Sequence, residues 1–241
     1  MSGAPPAAAR WLLPALAAAF AVDQVCALDY ALADWLYRAE GGRWSLRHDP
    51  LFSGLLHAKL QALAYFSYGA VVASAIACRL FPRLGRVRRD LAYVAVSYTL
   101  CVAIVAVMKK ALPIPCPWDL QRYGGALAAG GWLDWQAAVP VKGCFPSGHA
   151  TGGYAMFAWY FLARARGWWL APAALAVAGT AGLTLGLVQQ LRGAHFLSHD
   201  IACAALCWCV AAGLAARMLA PADESAPPVT CEAPRIRGWT S

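Results

Sequence analysis

Residues 91–108 read LAYVAVSYTLCVAIVAVM, a run with no Asp, Glu, Lys or Arg, and Lys109 and Lys110 follow directly. A helix needs about 18–20 apolar residues to cross about 30 Å of hydrocarbon. The stretch therefore reads as a membrane span with its basic end at an interface. Working outward, the windows 11–22, 60–78, 143–163, 167–191 and 201–216 are also free of charged side chains. The first is shorter, and Asp23, Gln24 and Asp29 close it near an interface. A cleavable signal peptide is the competing reading there. Against it, the apolar stretch runs on into further apolar residues, with no small-residue cleavage site and no polar start. The expectation is an all-α polytopic membrane bundle of about six transmembrane helices.

Composition agrees. Of 241 residues, 61% are hydrophobic and 13% charged, where an average soluble domain carries about a quarter charged residues. Such a chain cannot stay solvated as a disordered polymer. The 20 Lys and Arg against 12 Asp and Glu leave a net charge of +8. That surplus is confined to short gaps between apolar runs, so the partner it implies is a lipid bilayer rather than nucleic acid.

The basic residues also orient the bundle. Arg79, Arg83, Arg86, Arg88 and Arg89 crowd the gap between the second and third windows, Arg164 and Arg166 follow the fourth, and Arg10 precedes the first. Lys and Arg concentrate in cytoplasmic loops, so these segments are expected inside, and an even number of spans puts both termini there. Residues 34–59 mix Trp35, Trp44, Leu46 and Leu51 with charges, as an amphipathic stretch at the interface does. A single domain over residues 1–220 is expected, followed by a Pro-rich, polar, disordered cytoplasmic tail over 221–241.

Nine cysteines need sorting. Cys26, Cys78, Cys101, Cys203, Cys207 and Cys209 lie in or beside apolar windows, where cysteine acts as a small hydrophobe; Cys231 lies in the tail. Cys116 and Cys144 share the long outer loop, and a disulfide between them would close it in an oxidising compartment, provided the Cα spacing allows. No spacing of metal-site type occurs, and neither a metal nor another cofactor is expected.

Three polar segments emerge on the outer face of such a bundle: Lys109 to Asp119, Cys144 to Thr151, and Gln189 to Asp200. Pro146-Ser147-Gly148-His149 opens a helix, whose free N–H groups and positive dipole end attract anions. Ser147 adds a hydroxyl donor and Gly148 a close backbone approach. Lys109 and Arg192 add positive charge, Arg192 as a planar fork suited to phosphate. His149 and His195 can serve as general acid and nucleophile. Taken singly, Lys109 reads as a snorkelling lysine, Ser147 as a helix cap and His195 as an interfacial histidine. Their coincidence on one face is what points to phosphoryl transfer.

At these residues the chain resembles the type 2 phosphatidic acid phosphatase and vanadium haloperoxidase superfamily, in its six-helix bacterial membrane branch. The family pattern is Lys-x6-Arg-Pro, then Pro-Ser-Gly-His, then Ser-Arg-x5-His-x3-Asp. Residues 146–149 match the second motif, Lys109 fills the lysine place, and the surroundings of His195 fit the nucleophilic histidine. The motif-bearing core spans about residues 90–216. Cys116 stands where the family has arginine, with Arg122 or Lys142 as candidate substitutes. Gln189 stands six before His195, and the nearest arginine is Arg192. Four after His195 comes His199, and Asp200 comes five after; either could orient His195, and the anionic Asp200 is favoured for stabilising a charged imidazole.

The resemblance implies a metal-independent membrane lipid phosphatase. His195 would attack phosphorus and form a phosphohistidine, His149 would serve the leaving group and then water, and Lys109, Ser147, Gly148 and Arg192 would bind the phosphate. The implied substrates are phosphatidate, phosphatidylglycerol phosphate, an isoprenyl pyrophosphate or the phosphates of lipid A. The implied place is the bacterial cytoplasmic (inner) membrane, with the site on the periplasmic face. A lipid phosphotransferase using the same site, a non-catalytic binder of lipid phosphate and a transporter are the alternatives. The last is disfavoured because the second and third windows carry no charge for an ion relay.

Overall fold

The computed structural model describes residues 7–81, 85–128 and 143–219. Helix α1 (Ala7–Cys26) meets α2 (Leu28–Ala39) at Ala27, whose left-handed φ of 52° breaks the helix, and the two axes differ by 72°. A π-helical stretch, Pro50–Lys59, is capped by Asp49, whose carboxylate accepts from the N–H of Leu51 and Phe52. It runs directly into α3 (Leu60–Leu80). Then come α4 (Gly85–Ala111), α5 (Gly148–Tyr154), α6 (Phe157–Ala165), α7 (Ala171–Leu191) and α8 (Leu197–Met218).

By length and apolarity, Pro50–Leu80, Val87–Ala111, Ala171–Leu191 and Leu197–Met218 can each cross a bilayer, and the bent α1–α2 pair makes a fifth span if taken as one. The chain is a multi-pass membrane protein. The continuous helix that residues 143–163 predict is broken in two, and α5 and α6 in succession lead from one end of the bundle to the other. At the break, Met156 and Trp159 donate to Gly153 and Met156, three residues back rather than four. That tightening ends α5 before α6 begins.

Burial follows helix periodicity. On α4, Val94, Tyr98, Cys101 and Val105 are buried at intervals of three and four residues, one stripe of a helix turned inward. They join Tyr154, Phe157, Tyr160 and Trp208 in the main core, and Tyr93 donates its hydroxyl to the Ala211 carbonyl across to α8 at 2.9 Å. On α3 Cys78 is buried, whereas Leu63, Tyr65 and Phe66 stand exposed, as lipid-facing side chains do.

Glycines set the closest crossing. A Cβ on Gly153 of α5 would lie 2.2 Å from the Gly182 nitrogen of α7, and one on Gly182 would lie 2.2 Å from the Tyr154 ring. Small residues at such a contact let helix backbones approach. At one end of the bundle Arg166 pairs with Asp90, joining the arginine-bearing ends of α6 and α4. The opposite end gathers the last turns of α4 and α7 with the first turns of α5 and α8. The tail 221–241 with Cys231, together with Arg83 and Lys142, lies outside the described residues, as do the side chains of Arg10 and Arg86.

Candidate active site

The last turn of α4 carries Lys109, and the Pro-rich strand of loop after it returns to α5 through a disulfide. Cys116 and Cys144 are bonded with a Cα–Cα distance of 5.3 Å, and the Cys144 N–H donates to the Ile114 carbonyl at 2.7 Å. Gly143 has to be glycine here, because a Cβ would sit 2.1 Å from the Lys109 carbonyl oxygen. The Lys109 ammonium donates to the Cys144 carbonyl at 3.5 Å. Its Cε lies 3.1 Å from where a Cβ on Gly148 would be. The cation therefore lies against the first residue of α5, whose amide end already favours an anion.

The loop between α7 and α8 is held from both sides. Gly193 turns with φ 69° beneath Trp44, where a Cβ would meet the indole at 2.4 Å. Arg192 donates to Gln189 Oε1 at 3.0 Å and to the Arg47 carbonyl at 3.3 Å, while its Nε is buried without a partner among the described residues. Burial and the neighbouring Arg47 lower its pKa. His195 is buried, and its Nδ1 lies 3.3 Å from Nδ1 of His199. Burial, then Lys109, His199 and His149, push the His195 pKa well below the ordinary histidine value, with the Cys144 carbonyl pulling partly back. A buried imidazole among cations stays neutral, the form that carries a nucleophilic lone pair.

His149, on the first turn of α5, is met by residues from the α3 side. Gln61 Oε1 lies 2.9 Å from its Nε2, and the His57 ring lies over it with centroids 4.3 Å apart. Gln189 Nε2 in turn donates to His57 Nδ1 at 3.0 Å. His57, Lys109, His149, Gln189, Arg192 and His195 line one cavity of about 560 Å³. A second cavity of about 390 Å³ shares Lys109 and His149 with it and runs between α3, α4 and α5 past Tyr68, Tyr98 and Val102. An anion in the first would meet two cationic side chains, a helix amide end and a neutral imidazole.

The model of the PAP2 superfamily matches residues 90–220, more than half of the chain. The chain belongs to the PAP2 superfamily. No curated protein and no solved structure matches it. PAP2 membership carries phosphatase-type activity on phosphate esters, and the matched region holds Lys109, the Pro-Ser-Gly-His run and His195.

Several residues are placed differently from expectation. Asp200 does not reach His195. Its Oδ2 accepts from Gln190 at 2.5 Å, and its carboxyl carbon fills the space that Gly186 leaves open. One residue further along a helix is turned by about 100°, which aims Asp200 at α7 and leaves His199 on the His195 side. Ser147 is wholly buried beside Asp200 and is not part of the wall of the larger cavity. Arg122, a candidate substitute for the arginine that Cys116 replaces, is not among the residues lining the cavity and is paired with Asp34 over the Tyr30 ring. Cys116, Asp119 and Cys144 have ligand atoms within 4.8 Å of one another, but the disulfide takes both sulfurs. His57, Gln61 and Arg47 were missed by sequence reading. No motif marks them; the capped turn at Asp49-Pro50, which starts the segment carrying His57, was the one local signal available.

Proposed function

We propose that this PAP2 protein is a membrane lipid phosphatase that works through a phosphohistidine at His195. The observation that carries the reading is the engagement of His195 Nδ1 by His199 in a cavity shared with Lys109, Arg192 and His149. With Nδ1 donating to His199, Nε2 keeps its lone pair. That pair attacks phosphorus as the bond to the leaving oxygen breaks. Lys109 and Arg192 offset the charge on the nonbridging oxygens. A bound phosphate dianion favours the protonated form of His149, which gives its proton to the leaving oxygen. His149 then takes a proton from water as that water displaces His195 and releases phosphate.

The lipid part of the substrate follows from the second cavity, whose largely apolar wall leads from Lys109 and His149 along helices that face hydrocarbon. Charge stabilisation by Lys109 and Arg192 makes a metal unnecessary in this scheme. Arg79, Arg88, Arg89, Arg164 and Arg166 cluster at the end away from the site, which, with the concentration of basic residues in cytoplasmic loops, supports a site on the outer face of a cytoplasmic membrane.

The test is phosphate release by purified protein in detergent with chelator present. The panel holds phosphatidate, phosphatidylglycerol phosphate, an isoprenyl pyrophosphate, lipid A phosphates and a water-soluble phosphate ester. The parent should prefer a lipid, and His195→Ala should be silent. Near-normal turnover by His195→Ala removes the phosphohistidine; preference for the soluble ester removes the lipid assignment.

A further inference from the structure

The geometry points to His57 as a third histidine of the phosphate site, a neutral donor whose Nε2–H takes a nonbridging oxygen. This rests on the reading of the cavity as a phosphate site. Cys116 and Gln189 stand where the family pattern has arginines, so among the described lining residues the cavity holds two cationic side chains, Lys109 and Arg192. His57 occupies the wall beside them.

Its protonation state follows from its neighbours. Arginine has only donors. Since Arg192 donates to the Gln189 side chain, the atom facing Arg192 is the amide oxygen, Oε1. The amide nitrogen therefore faces His57, and Nδ1 of His57 must accept from it. A neutral imidazole that accepts at Nδ1 carries its proton at Nε2. A second proton at Nδ1 would oppose the Gln189 amide protons, so the ring stays neutral. Among the described residues, the hydrogen bond that His57 makes is at Nδ1, which leaves Nε2–H for the cavity whose wall His57 forms. Gln189 is thus a positioning residue: it reads the orientation of Arg192 and passes it to His57 as a tautomer. The packing of the His57 ring against His149, with the two planes tilted by 37°, restricts the plane in which that donor points.

The experiment titrates inorganic phosphate into the purified full-length protein in detergent, with ¹⁵N-labelled histidine. The His57 signal is assigned by its loss in His57→Phe and His57→Gln. His57 should carry its proton on Nε2, and that resonance should move as phosphate is added. His57→Phe keeps a ring on His149 but no donor, and phosphate affinity should fall about tenfold, the effect of one hydrogen bond to a charged group. His57→Gln restores an N–H and should recover part of the loss, which a purely structural role would not produce. A proton on Nδ1, an Nε2 signal indifferent to phosphate, or unchanged affinity in His57→Phe overturns the assignment while leaving the phosphatase reading intact. A parent that binds no phosphate overturns both. Should His57→Phe fail to fold, the parent spectrum with His57→Gln decides.

Discussion

The Nδ1 atoms of His195 and His199 lie 3.3 Å apart, so one imidazole of this buried pair donates to the other. In the family pattern the partner four residues after the nucleophile is a carboxylate. A neutral histidine there can still fix the ring and its tautomer, but it offers no negative charge to an imidazole that turns cationic. The pair therefore trades charge stabilisation for orientation. His199→Ala should lower kcat about 10- to 100-fold with little change in KM, since the group acts after binding. Asp200→Asn keeps an oxygen to accept from Gln190 and should stay within about threefold of the parent. Steady-state kinetics on both variants check this, and the opposite ranking would return the orienting role to Asp200.

The acid limb of the rate profile follows from the depressed pKa of His195. The protonated ring is disfavoured by burial and by Lys109, so the neutral imidazole persists as pH falls through the ordinary histidine value of about 6.5. The acid limb of kcat/KM should therefore lie below pH 6.5. Lys109→Met removes one of the charges holding the pKa down, and the limb should move upward even as overall activity falls. The linkage has the same sign. A histidine buried neutral binds fewer protons folded than unfolded, so its contribution to stability is lost progressively below about pH 6.5. A parent limb above 6.5 that disappears with His195 would refute the assignment.

Much of the site was legible because PAP2 motifs are contiguous. Pro146 to His149 is a single run, and Lys109 and His195 each close a long apolar window, so the bundle topology alone brings them to one end. What was not legible depends on contacts between distant segments or on rotation at a helix start. His57 reaches Gln189 across 132 positions from a π-helical segment that no periodicity marks, and Gln61, just beyond it on α3, reaches His149 across 88. The choice between His199 and Asp200 turned on where α8 begins, a matter of one residue. The break between α5 and α6 was hidden because apolar composition does not distinguish one continuous helix from two shorter ones in succession.

Gly153 and Gly179 make opposite predictions on neighbouring helices. A Cβ on Gly153 would collide with the α7 backbone at 2.2 Å, whereas one on Gly179 meets nothing within 4 Å. Gly153→Ala should destabilise the protein by about 1–3 kcal/mol or more, as overpacking does. Gly179→Ala should be neutral or slightly stabilising, because alanine costs less entropy in a helix. Thermal melting in detergent compares the two, and equal melting temperatures would mean that α5 and α7 do not meet through Gly153 and Gly182.

Arg192 and Arg122 carry the same group on the same end of the bundle, yet only one lines the cavity. Arg122 is committed to Asp34, on an exposed surface joined by Tyr123, whose hydroxyl donates to the same carboxylate at 3.0 Å. Arg192 is buried, with Nε unpartnered among the described residues and its remaining nitrogens held by Gln189 and the Arg47 carbonyl. A guanidinium grips a tetrahedral phosphate through paired N–H groups that an ammonium cannot reproduce. Arg192→Lys should therefore lower kcat/KM about 10- to 100-fold despite keeping the charge, and should also release Gln189. Arg122→Ala should leave kcat/KM within about twofold, because its charge is already balanced away from the cavity. Measuring both variants on one lipid substrate decides the matter. A large loss in Arg122→Ala with a silent Arg192→Lys would move the phosphate grip out of the α7–α8 loop and back to the segment after Cys116.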